Sequence, residues 1–388
     1  MSYSFESLEP TQVGLEIDET LRARAWQESR AFATAASRWN AYLNQLCLQT
    51  VLAWLREEYD PQAAVFPHRA ALTSYWEVVN GAAIAFAGRR LILIPCEAIE
   101  VDELRVPQEW VDIPSWVGDY YGAIQVNEDE GWVQFKGFVT HRQLKERGQY
   151  EWNDRVYCVD QSDLIADFGA LWVSRQLAPQ EITQVATPAI APLPTTMQAN
   201  HLIERLGHPA VVMPRLAIPF EPWAALMAHG GWRQKIAERR RGLPEQRSLL
   251  QWLQTGVSTL AQQAGWGQVE FQQAAGARGE ASGLGRALSR PLTIADQPYE
   301  LLVSPVAAEE AEPHAWRFTL RSLAAGGLIP AGFVLRLLTE DLQPFEGNED
   351  IATAAVESLF IEVALEPGEG IVWEITPLPE AYEQEILR

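Results

Sequence analysis

The chain has 388 residues, 47% of them hydrophobic and 21% charged, which is typical of a globular protein with packed cores. Its formal net charge at pH 7 is −21, and residues 296–388 carry 18 Asp and Glu against 4 Arg. This charge disfavours nucleic acid and anionic lipid as partners, because both bind through Lys and Arg. At roughly 100–200 residues per domain, the length indicates two or three domains.

The first element predicted with a clear pattern is a helix. Residues 1–20 are polar and mixed, and we interpret them as a loosely held lead-in. Between residues 28 and 59, apolar side chains recur every three or four positions, which predicts an amphipathic helix. The apolar stripe consists of Leu43, Leu46, Cys47, Thr50, Val51, Trp54 and Leu55. Asp60-Pro61 ends the helix, because a residue that precedes proline is pushed out of the α region.

Short segments with an alternating pattern follow this helix and predict strands. The predicted strands are 76–79, 83–86, 90–94, 120–126, 131–140 and 155–159. Asn80-Gly81 and Ala87-Gly88 are candidate turns, and the acidic turn 127–131 predicts a hairpin. Both faces of strand 131–140 are partly apolar, which favours a small antiparallel, barrel-like β domain. Together with the helix and an amphipathic segment at 164–177, this domain covers residues 21–177.

The second half of the chain divides into three parts. Residues 178–196 are rich in proline and poor in charge, which is typical of an extended linker. Residues 197–290 form a helical segment that ends in a Gly-, Ala- and Ser-rich stretch, 274–290, which we interpret as a mobile loop. Alternating strands with Gly and Pro turns at 291–388 predict an acidic, antiparallel β-sandwich domain. The fold class is therefore α+β, and the sequence leaves open whether the helical middle packs on either β domain.

The cysteines and the N-terminus indicate where the protein works. Cys47, Cys96 and Cys158 are odd in number and far apart, and each has apolar neighbours, which predicts buried free thiols in a reducing compartment. The N-terminus has neither the basic nor the apolar region of a signal peptide. No run of about 18 apolar residues occurs that would span a membrane. We expect a cytoplasmic protein without a membrane segment.

The usual signatures of catalysis are missing from the sequence. No His pairs with a Cys or another His at a metal-ligand spacing, and the glycines of 276–285 lack the lysine of a phosphate-binding loop. No nucleophile elbow occurs. We expect no metal, no cofactor and no catalytic residue, and therefore a protein that is not an enzyme. An enzyme that uses groups near Asp119 and His141 is a lesser alternative.

Aromatic side chains form one candidate interaction or ligand surface. They lie in and near the proline-punctuated loop 106–116, together with one histidine. The residues are Trp110, Trp116, Tyr120, Tyr121 and His141. These rings can line an apolar ligand pocket, or they can fill the core of the β domain, and the sequence leaves both interpretations open.

A basic run forms a second candidate surface. Its residues are Trp232, Arg233, Lys235, Arg239, Arg240 and Arg241. In a nucleic-acid-binding protein such a run with an adjacent aromatic ring contacts phosphates. In this acidic chain, we expect instead a solvated helix face that docks onto the protein's own acidic half.

Several longer segments match one family pattern. They include Trp76-Glu77-Val78-Val79-Asn80-Gly81 and the loop that runs from Val106 to Trp116, together with residues 40–49, 119–121, 126–127, 131–133, 140–144 and 171–173. These segments resemble the cyanobacterial domain-of-unknown-function family 1822, most strongly over residues 35–180 and more loosely at 366–369 and 382–385. The resemblance implies a cyanobacterial cytoplasmic protein and assigns no activity or catalytic residue.

These observations favour a non-enzymatic interaction or regulatory protein. We expect its acidic C-terminal domain to contact a basic protein partner, because opposite charge attracts such a partner. The alternative is a small-molecule-binding module that uses the aromatic residues at Trp110 and Trp116. The oligomeric state is left open.

Overall fold

A computed structural model describes residues 13–97, 102–178, 180–243, 248–272, 284–306, 315–366 and 369–388. Helices and strands are mixed along the chain, so the predicted α+β class is confirmed. The chain forms two compact units. The N-terminal unit comprises 1–193, 201–228 and 235–242, and the C-terminal unit comprises 194–200, 229–234 and 243–388. Among the described helices, none is both long and apolar enough to cross a membrane.

The helices and strands up to residue 177 are, in chain order, β1 (Val13–Glu16), α1 (Glu19–Ser29), α2 (Ala35–Glu58), β2 (Ala64–Phe66), α3 (Leu72–Trp76), β3 (Ala82–Phe86), β4 (Arg89–Cys96), β5 (Glu103–Pro107), α4 (Gln108–Asp112), β6 (Tyr120–Asn127), β7 (Trp132–Thr140), α5 (His141–Arg147), β8 (Gln149–Glu151), β9 (Val156–Asp160) and α6 (Phe168–Leu177). Short 3₁₀ turns occur at Arg69–Ala71, Gln161–Asp163 and Pro214–Leu216.

The later elements are α7 (Thr196–Leu206), α8 (Phe220–Ala228), α9 (Gly230–Arg240), α10 (Leu249–Thr255), α11 (Thr259–Gln263), β10 (Gly267–Gln272), β11 (Leu284–Ile294), β12 (Gln297–Pro305), β13 (Ala315–Ser322), β14 (Val334–Thr339), β15 (Glu349–Ile351), β16 (Ser358–Ala364), β17 (Ile371–Thr376) and β18 (Ile386–Leu387).

Two helices, α1 and α2, occupy the region in which the sequence predicted one helix and a lead-in. Asp18 caps α1, because its carboxylate accepts hydrogen bonds from the main-chain N–H groups of Thr20 and Leu21. Thr34 and Ser37 form a capping box that begins α2. The predicted apolar stripe lies on α2. All of its members are buried in the N-terminal unit except Trp54, which is half-buried.

The main sheet of the N-terminal unit has six strands in the order β1-β7-β6-β4-β3-β2. The strands at the two ends of this order, β1 and β2, are not paired with each other, so the sheet is open rather than a closed barrel. The lead-in supplies β1, in which Val13 lies opposite Phe135. Strands β4 and β6 run parallel, which corrects the prediction of a purely antiparallel domain. The physical reason is the crossover through β5 and α4, which returns the chain so that β6 begins at the same edge as β4.

Residues 76–79 are not a strand. Trp76 is the last residue of α3, its ring is buried, and its indole N–H donates to the main-chain oxygen of Gly81 at 3.0 Å. Periodicity does not distinguish a short apolar strand from one buried helical turn, and the aromatic side chains of Tyr75 and Trp76 enter the core from the helix. The predicted turn at Ala87-Gly88 is confirmed, because both residues have positive φ between the paired strands β3 and β4.

The C-terminal unit contains two antiparallel sheets, β10-β11-β12-β13-β16 and β15-β14-β17-β18. Both sheets contribute to one hydrophobic core, with Leu301 and Phe318 from the first and Leu335 and Trp373 from the second. Residues 284–290, which the sequence assigned to a mobile loop, form the first part of β11 and pair with β10 and β12. The rest of that predicted loop, 274–283, lies outside the described residues.

Candidate functional site

The predicted aromatic surface lies inside the core of the N-terminal unit. Trp110 and Trp116 are each 1% exposed, and their ring centroids are 5.1 Å apart. The ring of Tyr75 lies 5.6 Å from Trp110 and 4.3 Å from Trp116. The indole N–H of Trp110 donates to the main-chain oxygen of Asn80 at 2.9 Å. Neither hollow described below is lined by Trp110 or Trp116, so these rings fill space rather than enclose it.

Tyr120, Tyr121 and His141 are also buried. The hydroxyl of Tyr121 donates to the main-chain oxygen of Trp110 at 2.8 Å and accepts from the N–H of Gly118 at 3.1 Å. Burial raises the pKa of both tyrosines.

The imidazole of His141 is held between two main-chain groups. Its Nδ1 accepts from the N–H of Val185 at 3.1 Å, so its Nε2 carries the hydrogen that is donated to the oxygen of Val111 at 3.0 Å. Burial lowers the pKa of His141, which keeps the ring neutral. Both nitrogens are therefore occupied by structural hydrogen bonds. His141, the first residue of α5, therefore bridges Val111 on α4 and Val185.

The basic run is largely paired with carboxylates. In the C-terminal unit, Trp232 is buried and Arg233 forms an ion pair with Glu383. In the N-terminal unit, Arg240 is buried and its Nε lies 3.1 Å from Glu77 Oε1.

The remaining members of the run are less buried. Arg239 is exposed and lies 3.5 Å from Glu204, Arg241 donates to the main-chain oxygen of Ala31 at 2.9 Å, and Lys235 is half-buried. The run is therefore mostly structural and does not form a continuous cationic surface.

A hollow of about 570 Å³ does occur on the surface of the N-terminal unit, between α1, α2 and the turn that joins β6 to β7. We call it the aromatic groove. Its lining residues come from one face of α1, from the first turns of α2 and from the turn: Glu19, Arg22, Ala23, Trp26, Trp39, Tyr42, Glu128 and Asp129. Residues 19, 22, 23 and 26 share a face because helical neighbours recur every three to four positions.

Three rings form the floor and wall of the aromatic groove. Trp26 is 53% exposed, Trp39 is half-buried and Tyr42 is buried. The ring of Trp26 meets Tyr42 edge-on, with centroids 5.4 Å apart and planes at 82°. Trp39 lies 5.3 Å from Tyr42 and 6.4 Å from Trp26. A tryptophan that is half exposed beside two further rings leaves an indole face available to a ligand.

Hydrogen bonds hold the groove in shape. The hydroxyl of Tyr42 donates to Glu128 Oε2 at 2.9 Å, and Arg22 Nη1 donates to the main-chain oxygen of Glu128 at 3.0 Å. Burial and the adjacent Glu128 carboxylate raise the pKa of Tyr42, so its hydroxyl stays protonated and continues to donate. The indole N–H of Trp39 donates to the carboxylate of Glu97. With Glu19, Glu128 and Asp129 against Arg22, the lining carries an excess of negative charge.

One other cluster of potential ligands is explained by its neighbours. Side-chain ligand atoms of Glu103, Glu151 and Cys158 lie within 4.8 Å of one another. Arg105 donates to Glu103 at 2.6 Å and to Glu151 at 2.7 Å, so one guanidinium bridges both carboxylates. Burial raises the pKa of Cys158 to about 11, which keeps its thiol protonated. The arginine therefore already occupies the place that a cation would take.

None of the groove residues was among the candidates from the sequence. A signal for them does exist, because Trp26 precedes the apolar stripe and Trp39 lies off it, and both occur in a stretch rich in polar residues. A large aromatic side chain outside a buried stripe is a candidate for surface recognition. The contribution of Glu128 could not be found this way, because its position depends on how the β6–β7 hairpin packs against α2.

The comparisons with known proteins agree with the resemblance seen in the sequence. The model of a family described as protein of unknown function (DUF1822) matches residues 15–388. No curated protein and no solved structure gives a significant match. Since the matched region takes in both compact units, the chain belongs to the DUF1822 family.

Proposed function

We propose that this protein is a non-catalytic interaction protein that binds a basic segment of a partner protein in the aromatic groove. One observation carries the proposal: the half-exposed ring of Trp26 stands beside two further rings and a rim of carboxylates. An indole face attracts a cation, and an arginine or lysine of the partner would meet Glu19 and Asp129 at the rim. The groove thus offers both parts of a cation-binding contact.

Arginine fits the groove better than lysine. Its planar guanidinium stacks on an aromatic ring and pairs with a carboxylate in two parallel hydrogen bonds. A cation–π contact of this kind contributes about 0.5–2 kcal/mol. The affinity for one side chain is therefore modest, and we expect a partner that presents several basic residues.

The C-terminal unit supports the proposal through long-range charge. Some of its carboxylates are neutralised by arginines, as in the pairs Arg317–Glu362 and Arg336–Glu349. Glu357, Glu366 and Glu380 are exposed at its surface. A strongly negative surface raises the rate at which a basic partner is captured, and it does so less at high salt.

The finer features expected from the sequence belong to the same proposal. We propose a cyanobacterial cytoplasmic protein whose C-terminal unit is a β-sandwich. Support comes from the family match, from the free cysteines Cys47, Cys96 and Cys158, and from the single core shared by the two C-terminal sheets.

Calorimetric titration of the full chain with an acetylated hexa-arginine peptide tests the proposal. We expect binding that weakens with salt, and Trp26→Ala should weaken it by about tenfold through loss of the cation–π contact. The matched control is Trp152→Ala, because Trp152 is 82% exposed and lies far along the chain in the β8–β9 turn. This control should bind like the unchanged protein.

A different pattern would overturn the groove as the binding site. If Trp26→Ala and Trp152→Ala bind equally, while a variant with Glu357, Glu366 and Glu380 changed to Gln binds less tightly, the peptide is held by the acidic C-terminal unit. If the unchanged protein binds hexa-arginine no better than hexa-glutamate at low salt, the proposed function is wrong.

A further inference from the structure

A second hollow in the N-terminal unit has the opposite character. It has a volume of about 420 Å³ and lies beside the β3–β4 turn. We call it the hairpin cleft. Its polar lining consists of Asp60, Gln62, Arg89, Arg90, Asp119 and Gln184. Apolar surface comes from Phe66 and Val117, so the cleft combines two guanidinium groups with a hydrophobic wall.

The fold holds Arg90 in a fixed position. Its guanidinium carbon lies 3.4 Å from the ring centroid of Phe66. Its Nη1 donates to the main-chain oxygens of Ser115 at 2.8 Å and Val117 at 3.0 Å. The Phe66 ring covers one face of the guanidinium, and the two main-chain oxygens hold Nη1. The protein therefore fixes the orientation of the remaining edge before a ligand binds, which is the preorganisation that anion sites use.

Both carboxylates that line the cleft are engaged by other groups. Asp119 accepts from Arg89 Nη1 at 2.9 Å, from Thr183 Oγ1 at 2.6 Å and from the main-chain N–H of Arg90 at 2.9 Å. Asp60 accepts from the N–H groups of Gln62 and Ala87. The Asp119 carboxylate therefore pairs with the Arg89 guanidinium, and the hydrogen bond it accepts from Arg90 comes from the main-chain N–H of that residue.

Among the described residues, the Arg90 guanidinium forms no direct ion pair, although the negative charge of nearby Asp119 acts on it. Within the described ranges, no carboxylate lies within 4.0 Å of its guanidinium, and its Nε and Nη2 have no hydrogen-bond partner. Burial lowers the pKa of Arg90, and the charge of Asp119 offsets this effect only in part. A desolvated cation that keeps unused donors is the arrangement that an oxyanion stabilises most.

We infer that the hairpin cleft binds the oxyanion of a small organic acid, with Arg90 pairing to its carboxylate or phosphate group. The unused Nε and Nη2 form the two-pronged edge that matches two oxygens of such a group. Gln62 supplies an amide donor at the rim, and the Gln184 amide can offer its second N–H beside its 3.4 Å hydrogen bond to the oxygen of Gly118. Phe66 and Val117 contact the apolar part of the ligand. This site is separate from the aromatic groove and takes a ligand of opposite charge.

Titration of the full chain with sodium benzoate and, separately, with inorganic phosphate at constant ionic strength tests the inference. Binding of benzoate alone indicates an organic carboxylate with an apolar body, and binding of phosphate indicates a phosphate ligand. Either result supports the site if Arg90→Gln weakens it by about tenfold or more, the usual effect of losing a charge-assisted pair. Arg147→Gln is the control, because Arg147 is exposed on α5 and should leave binding unchanged.

Two further variants keep the test decisive if Arg90→Gln does not fold. Arg90→Lys keeps the positive charge but loses the two-pronged edge, and it should also weaken benzoate binding. Ala85→Trp introduces a large side chain at an exposed lining position opposite Arg90 and should block the cleft without removing the guanidinium. The inference is overturned if neither anion binds at millimolar concentration, or if Arg90→Lys and Ala85→Trp bind like the unchanged protein.

Discussion

The arginines of the basic run and the single Arg90 beside the hairpin cleft show two opposite uses of the same side chain. Arg233 and Arg240 are buried. Arg233 is paired with Glu383 and Arg240 with Glu77, so each charge is balanced within its own unit. Arg90 follows one other basic residue, Arg89, yet its guanidinium lines a cleft and forms no direct ion pair in the described structure. Accessible charge therefore depends on where the carboxylates lie in space, and not on how closely basic residues cluster along the chain.

The strongest way to test this comparison is to break a buried pair. Arg240→Met should lower the free energy of unfolding by about 3–5 kcal/mol, because it leaves the buried carboxylate of Glu77 without its partner. Arg239→Met is the control, since Arg239 is exposed and its pair with Glu204 should contribute no more than about 1 kcal/mol. Denaturant unfolding measures both. Equal losses in the two variants would show that Arg240 is not the structural arginine described above.

His229 extends the comparison to a histidine, because it precedes the basic run and is buried as a neutral ring. Its Nε2 donates to the main-chain oxygen of Glu340, and its Nδ1 accepts from the N–H of Trp232. Burial lowers the pKa of His229 from 6.5 to about 4, and Glu340 and Arg233 are the charged groups that face it. Between these two pH values, the unfolded chain binds the proton more tightly than the folded protein does.

The unfolding free energy should therefore fall as the pH drops from 6.5 towards 4, by up to about 3 kcal/mol from this residue. We expect His229→Gln to remove this part of the pH dependence, while the exposed His201 can be changed to Gln as a control that retains it. Denaturant unfolding at several pH values gives the result. Parallel pH profiles for the unchanged protein and His229→Gln would contradict the prediction.

A substitution at Thr183 tests why the Arg90 guanidinium has no carboxylate in direct contact. Its hydroxyl helps to saturate Asp119, and its side chain is buried although the sequence predicted a linker at 178–196. Thr183→Val should lower the unfolding free energy by about 1–2 kcal/mol, because a buried carboxylate loses a hydrogen bond. Thr187→Val in the same segment is the control and should have a smaller effect. If the two variants unfold alike, residues near 183 do not hold Asp119 in place.

The smallest effect is expected for an exposed pair. Glu362→Gln removes the partner of Arg317 on the surface of the C-terminal unit, where both side chains are close to half exposed. The unfolding free energy should change by less than about 1 kcal/mol, and the difference should shrink further at high salt. Unfolding at low and high salt checks this. A loss as large as that of Arg240→Met would mean that burial does not separate the two classes of arginine.

Local patterns predicted much of the secondary structure. The stripe on α2, the β6–β7 hairpin, the Ala87-Gly88 turn and the antiparallel strands of 315–376 all follow from spacing and turn residues, and all are present. The failures have a common cause. The parallel pairing of β4 with β6, the recruitment of β1 to β7 and the helical state of Trp76 depend on contacts with segments distant in the sequence.

The candidate sites were harder to predict than the fold. The aromatic residues chosen from the sequence, Trp110 and Trp116, are core residues, whereas Trp26 and Arg90 were overlooked. An indole is apolar enough to be buried and amphipathic enough to be exposed, so its identity does not decide between the two. Only the packing of α1 against α2 determines which tryptophans remain accessible.

The mixed α+β class, the acidic charge, the free cysteines and the family could be predicted without a structure, because they depend on composition, local periodicity and long matching segments. Which charges are paired and which remain accessible depends on the tertiary structure. Glu77 and Arg240 are 163 positions apart, and Asp119 and Thr183 are 64 apart. Electrostatic pairing acts over a few ångströms in space, so it becomes visible only when the chain has brought such distant residues together.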